Sequence, residues 1–239
     1  MSGHSKWANI KHRKESVDKK KGKIFSQMAK MITIAARSGG DPGMNPSLRI
    51  TVEKAKAANM PNDNIERAIK KGTGENKEGQ LEEIVYEAFG PNGVPLIINV
   101  ITDNKNRTSS EIRHILSQYN GRIGESGTVK WMFKQKGLIE IDLDEKTKEE
   151  LELLVIDSGA DDFKWVNDAL EVYTKPDELE NTKKNLEKSG IKIKDASLDW
   201  VPKNEMKIED ESIKKQLEKL FEALDDNDDV NEIYSNVDL

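Results

Sequence analysis

From Ile24 the apolar residues recur at helical spacing: Phe25, Met28, Met31, Ile32 and Ala35 share one stripe, and Gly39-Gly40 ends the run. Asn45-Pro46 then puts a capping side chain ahead of a proline at the first helical position, and Leu48, Val52 and Ala55 fall on one side of the helix so opened. A third short helix follows Pro61, with Ile65, Ala68 and Ile69 inward, and ends at Gly72 in the polar segment KGTGENKEG. The pattern predicts a three-helix domain over residues 1–80. Its first 22 residues carry no apolar stripe and read as an arm.

After the polar segment the period drops to two. EEIVYEAF and VPLIINVITDN read as strands joined by GPNG, whose Asn-Gly is a strong hairpin signal. A helix follows, with Thr108 and Glu111 spaced as a capping box. The loop NGRIGESGT leads to a further strand, VKWMFKQ. Residues 137–200 then alternate strand, helix, strand, strand, helix, strand, the βαββαβ order of a ferredoxin-like unit. A short extended piece near Met206–Ile208, an amphipathic helix through Ile213, Leu217, Leu220 and Leu224, and a strand NEIYSN complete the chain. The expected fold class is α+β: a small N-terminal helical bundle, an α+β domain made of 81–136 plus 201–239, and a ferredoxin-like α+β domain, 137–200, inserted in it.

Charge changes this picture. Over residues 1–80, 17 Lys/Arg face 8 Asp/Glu, whereas the other 159 residues carry 21 against 36, so a net charge of −6 hides a dipolar chain. A polyanionic partner for one end accounts for the asymmetry. Lys6, Lys11, Arg13, Lys14, Lys19, Lys20, Lys21 and Lys23 are spaced to neutralise successive phosphates, with Lys30 and Arg37 on the helix behind them. Trp7 and His12 lie among these cations, and Trp7 is equally suited to stacking on a base or to anchoring the arm. A solvated tail that only aids solubility would leave the asymmetry unexplained.

TDNKNRTSSEIRH gathers Asn104, Arg107, Thr108 and Arg113 at a strand-to-helix turn, a candidate anion site. The plainer reading has Thr108 and Glu111 capping the helix, and it weighs more. Catalysis has little footing. Cysteine is absent, the three histidines lack metal spacing, and neither a nucleophile elbow nor a phosphate-binding P-loop occurs. Glu111 and His114 at i, i+3 are the one conceivable acid/base pair. LDDNDDV near residue 225 lacks calcium-loop spacing and reads as a solvated helix end. No apolar run approaches the roughly 20 residues of a membrane span, and no secretory signal is visible. The expectation is a cytoplasmic, monomeric, non-enzymatic protein without cofactor or metal, away from membranes.

GHSKWANIKHRK, KGKIF, NMP-DNIERAIKKG, YE--GP-G, DNKNRT--EIRH and EIYSN together resemble the YebC family, also called PmpR or probable transcriptional regulatory proteins. A mitochondrial relative is a translational activator of cytochrome c oxidase. The resemblance runs nearly the full length, densest in residues 3–25, 59–74 and 86–133. It implies a helical first domain and two α+β domains, one inserted in the other. It also implies one of two roles: a cytoplasmic DNA-binding regulator of transcription, or a factor on the ribosome that binds ribosomal RNA and regulates translation. The chain departs from the family pattern at Lys21, which keeps the charge of an arginine but not its bidentate fork, and at Thr128, Lys130 and Trp131.

Overall fold

A computed structural model describes residues 17–74, 81–143, 146–166 and 169–238, which divide into two compact units. One comprises residues 133–201; the other is built from the segments up to Met132 and from Pro202 onward.

In the larger unit the chain opens with three helices, α1 (Val17–Ala35), α2 (Pro46–Ala57) and α3 (Asn62–Gly72). Helix α1 begins at Val17 rather than near Ile24: Lys19, Lys20 and Lys21 are good helix formers, and no proline interrupts the run. Helix α2 starts as its sequence requires: the Asn45 side chain accepts from the Leu48 N–H at 3.1 Å, with Pro46 at the first helical position. Beyond its end at Ala57, Asn59 has a left-handed φ of 61°, which lets the Met60 N–H reach the Ala55 carbonyl at 2.9 Å. Ile32, Ala36, Leu48, Val52, Ala55, Met60, Ile65 and Ala68 form the core of this bundle. Helices α1 and α3 cross closely at Gly72, where an added Cβ would overlap the Thr33 carbonyl oxygen and come within 2.6 Å of the Ala36 Cβ.

Strands β1 (Glu82–Phe89) and β2 (Pro95–Thr102) follow as an antiparallel hairpin in register Tyr86↔Ile98 and Ala88↔Leu96. The turn uses Asn92 and Gly93 at φ 57° and 74°, and the Gly90 N–H closes it on the Val94 carbonyl at 2.8 Å. Helix α4 (Lys105–Gln118) and the short strand β3 (Arg122–Ile123) come next. After the other unit the chain returns through β8 (Met206–Lys207), α7 (Glu211–Asp225), β9 (Val230–Ser235) and β10 (Val237–Asp238). The sheet order is β3-β1-β2-β9, with β8 and β10 paired separately. Ile112 and Leu116 of α4 and Leu217, Leu220, Phe221 and Leu224 of α7 join Ala88, Leu96, Ile98, Val100, Val230 and Ile233 of the sheet in one core.

The second unit has the elements β4 (Phe133–Asp142), α5 (Lys148–Asp157), β5 (Asp162–Val166), β6 (Ala169–Thr174), α6 (Leu179–Lys188) and β7 (Asp195–Pro202). Its sheet order, β5-β6-β4-β7, is the antiparallel arrangement of a ferredoxin-like unit. The sequence expectation split β4 into two strands at Gly137. The structure keeps it continuous from Phe133, because Gly137 pairs with Thr174 within the ladder. VKWMF accordingly contributes a single 3₁₀ turn at Lys130–Met132, and the unit starts at 133. Among the described residues the capping box in the chain is at Thr147 and Glu150 of α5.

Candidate nucleic-acid interface

Helix α4 starts four residues earlier than the Thr108–Glu111 pairing suggests. Asn104 is its cap, accepting from the Arg107 N–H at 3.1 Å, so Thr108 lies one turn inside the helix with its hydroxyl free for another task. That task is Asp229, which is 5% exposed at the start of β9. Asp229 Oδ2 accepts from the Thr108 hydroxyl at 2.6 Å, the Arg107 guanidinium at 2.7 Å and the Thr102 hydroxyl at 3.1 Å. Its Oδ1 accepts from the Lys30 ammonium at 2.8 Å. The candidate anion site at Asn104, Arg107 and Thr108 is therefore filled by a carboxylate of the chain itself; Arg113 is exposed and takes no part. Burial opposes ionisation of Asp229, but the hydrogen bonds from Lys30, Thr108 and Arg107 outweigh it and hold the carboxyl well below the usual carboxylate range.

Lys30 belongs to the helical bundle and Asp229 to the sheet, so this network ties the two together. The Lys30 ammonium also donates to the Asp228 carbonyl at 2.8 Å, the Gln27 side-chain amide donates to the Val230 carbonyl at 2.8 Å, and Lys23 lies 3.8 Å from Asp225. Lys23, Gln27 and Lys30 are spaced i, i+4, i+7, which places them on one face of α1. Arg37 donates to the Leu81 carbonyl. LDDNDDV is thus a docking segment for α1 rather than a solvated helix end. Its Asn227 also reaches Glu111, whose carboxylate accepts from the amide at 2.8 Å.

Between bundle and sheet lies an open cleft of about 1080 Å³. Phe25 and Lys30 of α1 line one side, Asn64, Arg67 and Lys71 of α3 another, and Asp103, Arg107, Glu111 and the 226–229 loop the third. Positions 64, 67 and 71 form one stripe of α3, so that stripe turns into the cleft. Glu111 and His114 do not converge on a reaction centre: Glu111 binds Asn227, and the His114 ring lies 3.1 Å from the Gln118 amide. Among the described residues no group of three or more His, Asp or Glu is placed to hold a metal ion. Also among the described residues, no helix is long and apolar enough to cross a membrane.

Of the residues expected to contact phosphate, Lys6, Trp7, Lys11, His12, Arg13 and Lys14 lie outside the described residues. Lys19, Lys20 and Lys21 fall on the first turns of α1. Lys23, Lys30 and Arg37 are engaged inside the unit as above.

The family model for the second and third domains of TACO1/YebC proteins matches residues 81–237, and the model for the TACO1/YebC N-terminal domain matches residues 5–75. The chain belongs to the TACO1/YebC family. It is 51% identical over 242 residues to a "Probable transcriptional regulatory protein" of Halothermothrix orenii, spanning 100% of this chain and 96% of the relative. A protein of the same description from Natranaerobius thermophilus is 50% identical over 243 residues, with 100% and 97% covered. The crystal structure of the conserved hypothetical protein Aq1575 from Aquifex aeolicus superposes with a TM-score of 0.90 at 43% identity, covering 97% of this chain and 96% of that one.

For this TACO1/YebC chain, sequence reasoning missed Asp229 and Glu87 as organising groups. Glu87, 7% exposed on β1, accepts from the N–H groups of Gly127, Val129 and Lys130 at 2.6, 2.6 and 2.7 Å. Burial raises its pKa, and the three backbone donors bring it below the ordinary value. One signal was available: a glutamate between apolar residues in EEIVYEAF occupies a position where an unpaired charge is too costly to keep.

Proposed function

We propose that this protein is a non-enzymatic regulator of gene expression that binds nucleic acid, with DNA as its target in a transcriptional role. The basic arm and the bundle behind it grip phosphates, through Lys6, Lys11, Arg13, Lys14 and the lysines at 19–21. The observation that carries this reading is the charge split, 17 cations to 8 anions in residues 1–80 against 21 to 36 in the rest. Lys56, Arg67 and Lys70 add exposed cations on α2 and α3. The acidic α+β part, residues 81–239, would be repelled by bulk polyanion, so it orients the bound molecule. The names of the relatives point to transcription.

A second reading, a translation factor on ribosomal RNA, is favoured by one specific feature. Asn64, Arg67 and Lys71 of α3 line the cleft, so part of the polar surface of this 11-residue helix forms a concave wall rather than a projecting recognition surface. Irregular RNA suits such a surface better. Co-sedimentation with ribosomes, beside retention of labelled duplex DNA, separates the two at about 150 mM salt, where loose phosphate binding is largely suppressed. DNA retention that depends on sequence, without ribosome association, supports the transcriptional role. Ribosome association with DNA retention lost assigns the protein to translation, and neither would overturn both.

A further inference from the structure

Trp131 is 63% exposed, an unusual position for the largest apolar side chain. It is also held in place. Its indole N–H donates to the Thr128 carbonyl at 3.0 Å, and the loop that leads into the 3₁₀ turn hangs from the Glu87 carboxylate through the N–H groups of Gly127, Val129 and Lys130. The Gly124 N–H donates to the Glu87 carbonyl at 2.8 Å, and the Thr128 hydroxyl to the Glu125 carbonyl at 2.6 Å. A Cβ at Gly124 would come within 2.6 Å of the Thr128 hydroxyl and 3.3 Å of the Phe89 ring, so the loop is closed tightly on β1. The Arg122 guanidinium lies over the same Phe89 ring, 5.1 Å from its centre. An exposed aromatic, next in the chain to the exposed Lys130, therefore sits on a preorganised loop that follows the exposed Arg122 of β3.

We infer that this loop is a stacking platform for one unpaired base of a single-stranded nucleic acid, with Trp131 as the platform and Arg122 and Lys130 beside the flanking phosphates. The indole N–H is already satisfied, so only its π surface is offered, and the surface fits a partner that brings a flat ring. The fixed loop means that little ordering entropy is lost when the base arrives. Adjacent cations fit a nucleic acid better than an apolar protein surface. This inference rests on the nucleic-acid reading above and adds a second contact, separate in the chain from the arm.

The test uses the full chain and fluorescence anisotropy with labelled 12-nucleotide single-stranded DNA and RNA and with the DNA duplex, at about 150 mM salt. Trp131→Ala is expected to weaken single-strand binding by about tenfold to a hundredfold, Trp131→Phe by much less, and duplex binding to change little. Trp131→Leu should behave like Trp131→Ala, because it keeps apolar area but no ring face. The exposed side chain carries little packing, so thermal melting of all three should match wild type. Wild-type affinity in Trp131→Ala overturns the inference while leaving the arm reading intact. Equal affinity of the Leu and Phe variants overturns it too, by assigning the residue to an apolar contact. Absence of any binding by the wild-type protein overturns the nucleic-acid reading itself, and this inference with it.

Discussion

Asp229→Ala removes one carboxylate that four donors share. Two of those donors carry charge: Lys30, whose side chain is 20% exposed, and Arg107, at 45%. Truncating one partner of a buried ion pair costs about 3–5 kcal/mol, because the remaining charge stays desolvated without its counter-ion. Lys30 and Arg107 retain some access to water, which places the expected loss near the lower limit, about 3 kcal/mol. Asp229→Asn keeps the shape and one acceptor oxygen but loses the charge, and should cost about 2 kcal/mol. Urea unfolding followed by far-ultraviolet circular dichroism reads both numbers. The coupling has a specific sign. Lys30→Met removes one of the cations that Asp229 serves, so Asp229→Asn should cost less in that background than in wild type. The folded-state pKa of Asp229 is depressed, so its contribution is complete above the unfolded carboxylate value of 3.8 and is lost as pH falls below that value. A loss below about 1 kcal/mol for Asp229→Ala, the range of exposed pairs, would refute the claim that this network joins bundle to sheet.

Three further outcomes follow from the packing. Gly72→Ala drives a methyl group into the Thr33 carbonyl and Ala36 at the α1–α3 crossing, and overpacking of this kind should cost about 1–3 kcal/mol in a melting experiment. Glu87→Gln leaves one acceptor oxygen for three backbone N–H groups and should lower stability by about 2 kcal/mol, with faster amide exchange at Gly127, Val129 and Lys130. Asn45→Ala loses the α2 cap and the amide bonds to the Ala35 and Gly39 carbonyls, both 2.8 Å, for about 1–2 kcal/mol.

What the sequence disclosed was local. Asn45-Pro46, the Asn92-Gly93 turn and the strands EEIVYEAF and PLIINVIT are decided by residues within a few positions of one another, and those elements stand where their patterns place them. The βαββαβ order likewise needs only the succession of elements. The misplacements have physical causes of longer range. Thr108 has the spacing of a cap, yet Asn104 precedes it and reaches the first free N–H groups, which leaves the threonine to a carboxylate 121 residues away. Lys30 has the look of a phosphate ligand, and its actual partner lies 199 residues along the chain. Nothing in either neighbourhood announces such a pair. The acidic run at 225–229 is legible as charge, but its role in docking α1 depends on tertiary structure alone.

The central claim is that the arm binds phosphates, and the dependence of affinity on salt tests it most directly. The full chain and a variant with Lys6, Lys11, Arg13 and Lys14 changed to alanine would be titrated with the same duplex DNA over a range of salt concentrations. Four lost phosphate contacts should make the slope of log affinity against log salt shallower by about 3.6. Parallel lines of equal affinity for the two proteins would contradict the claim.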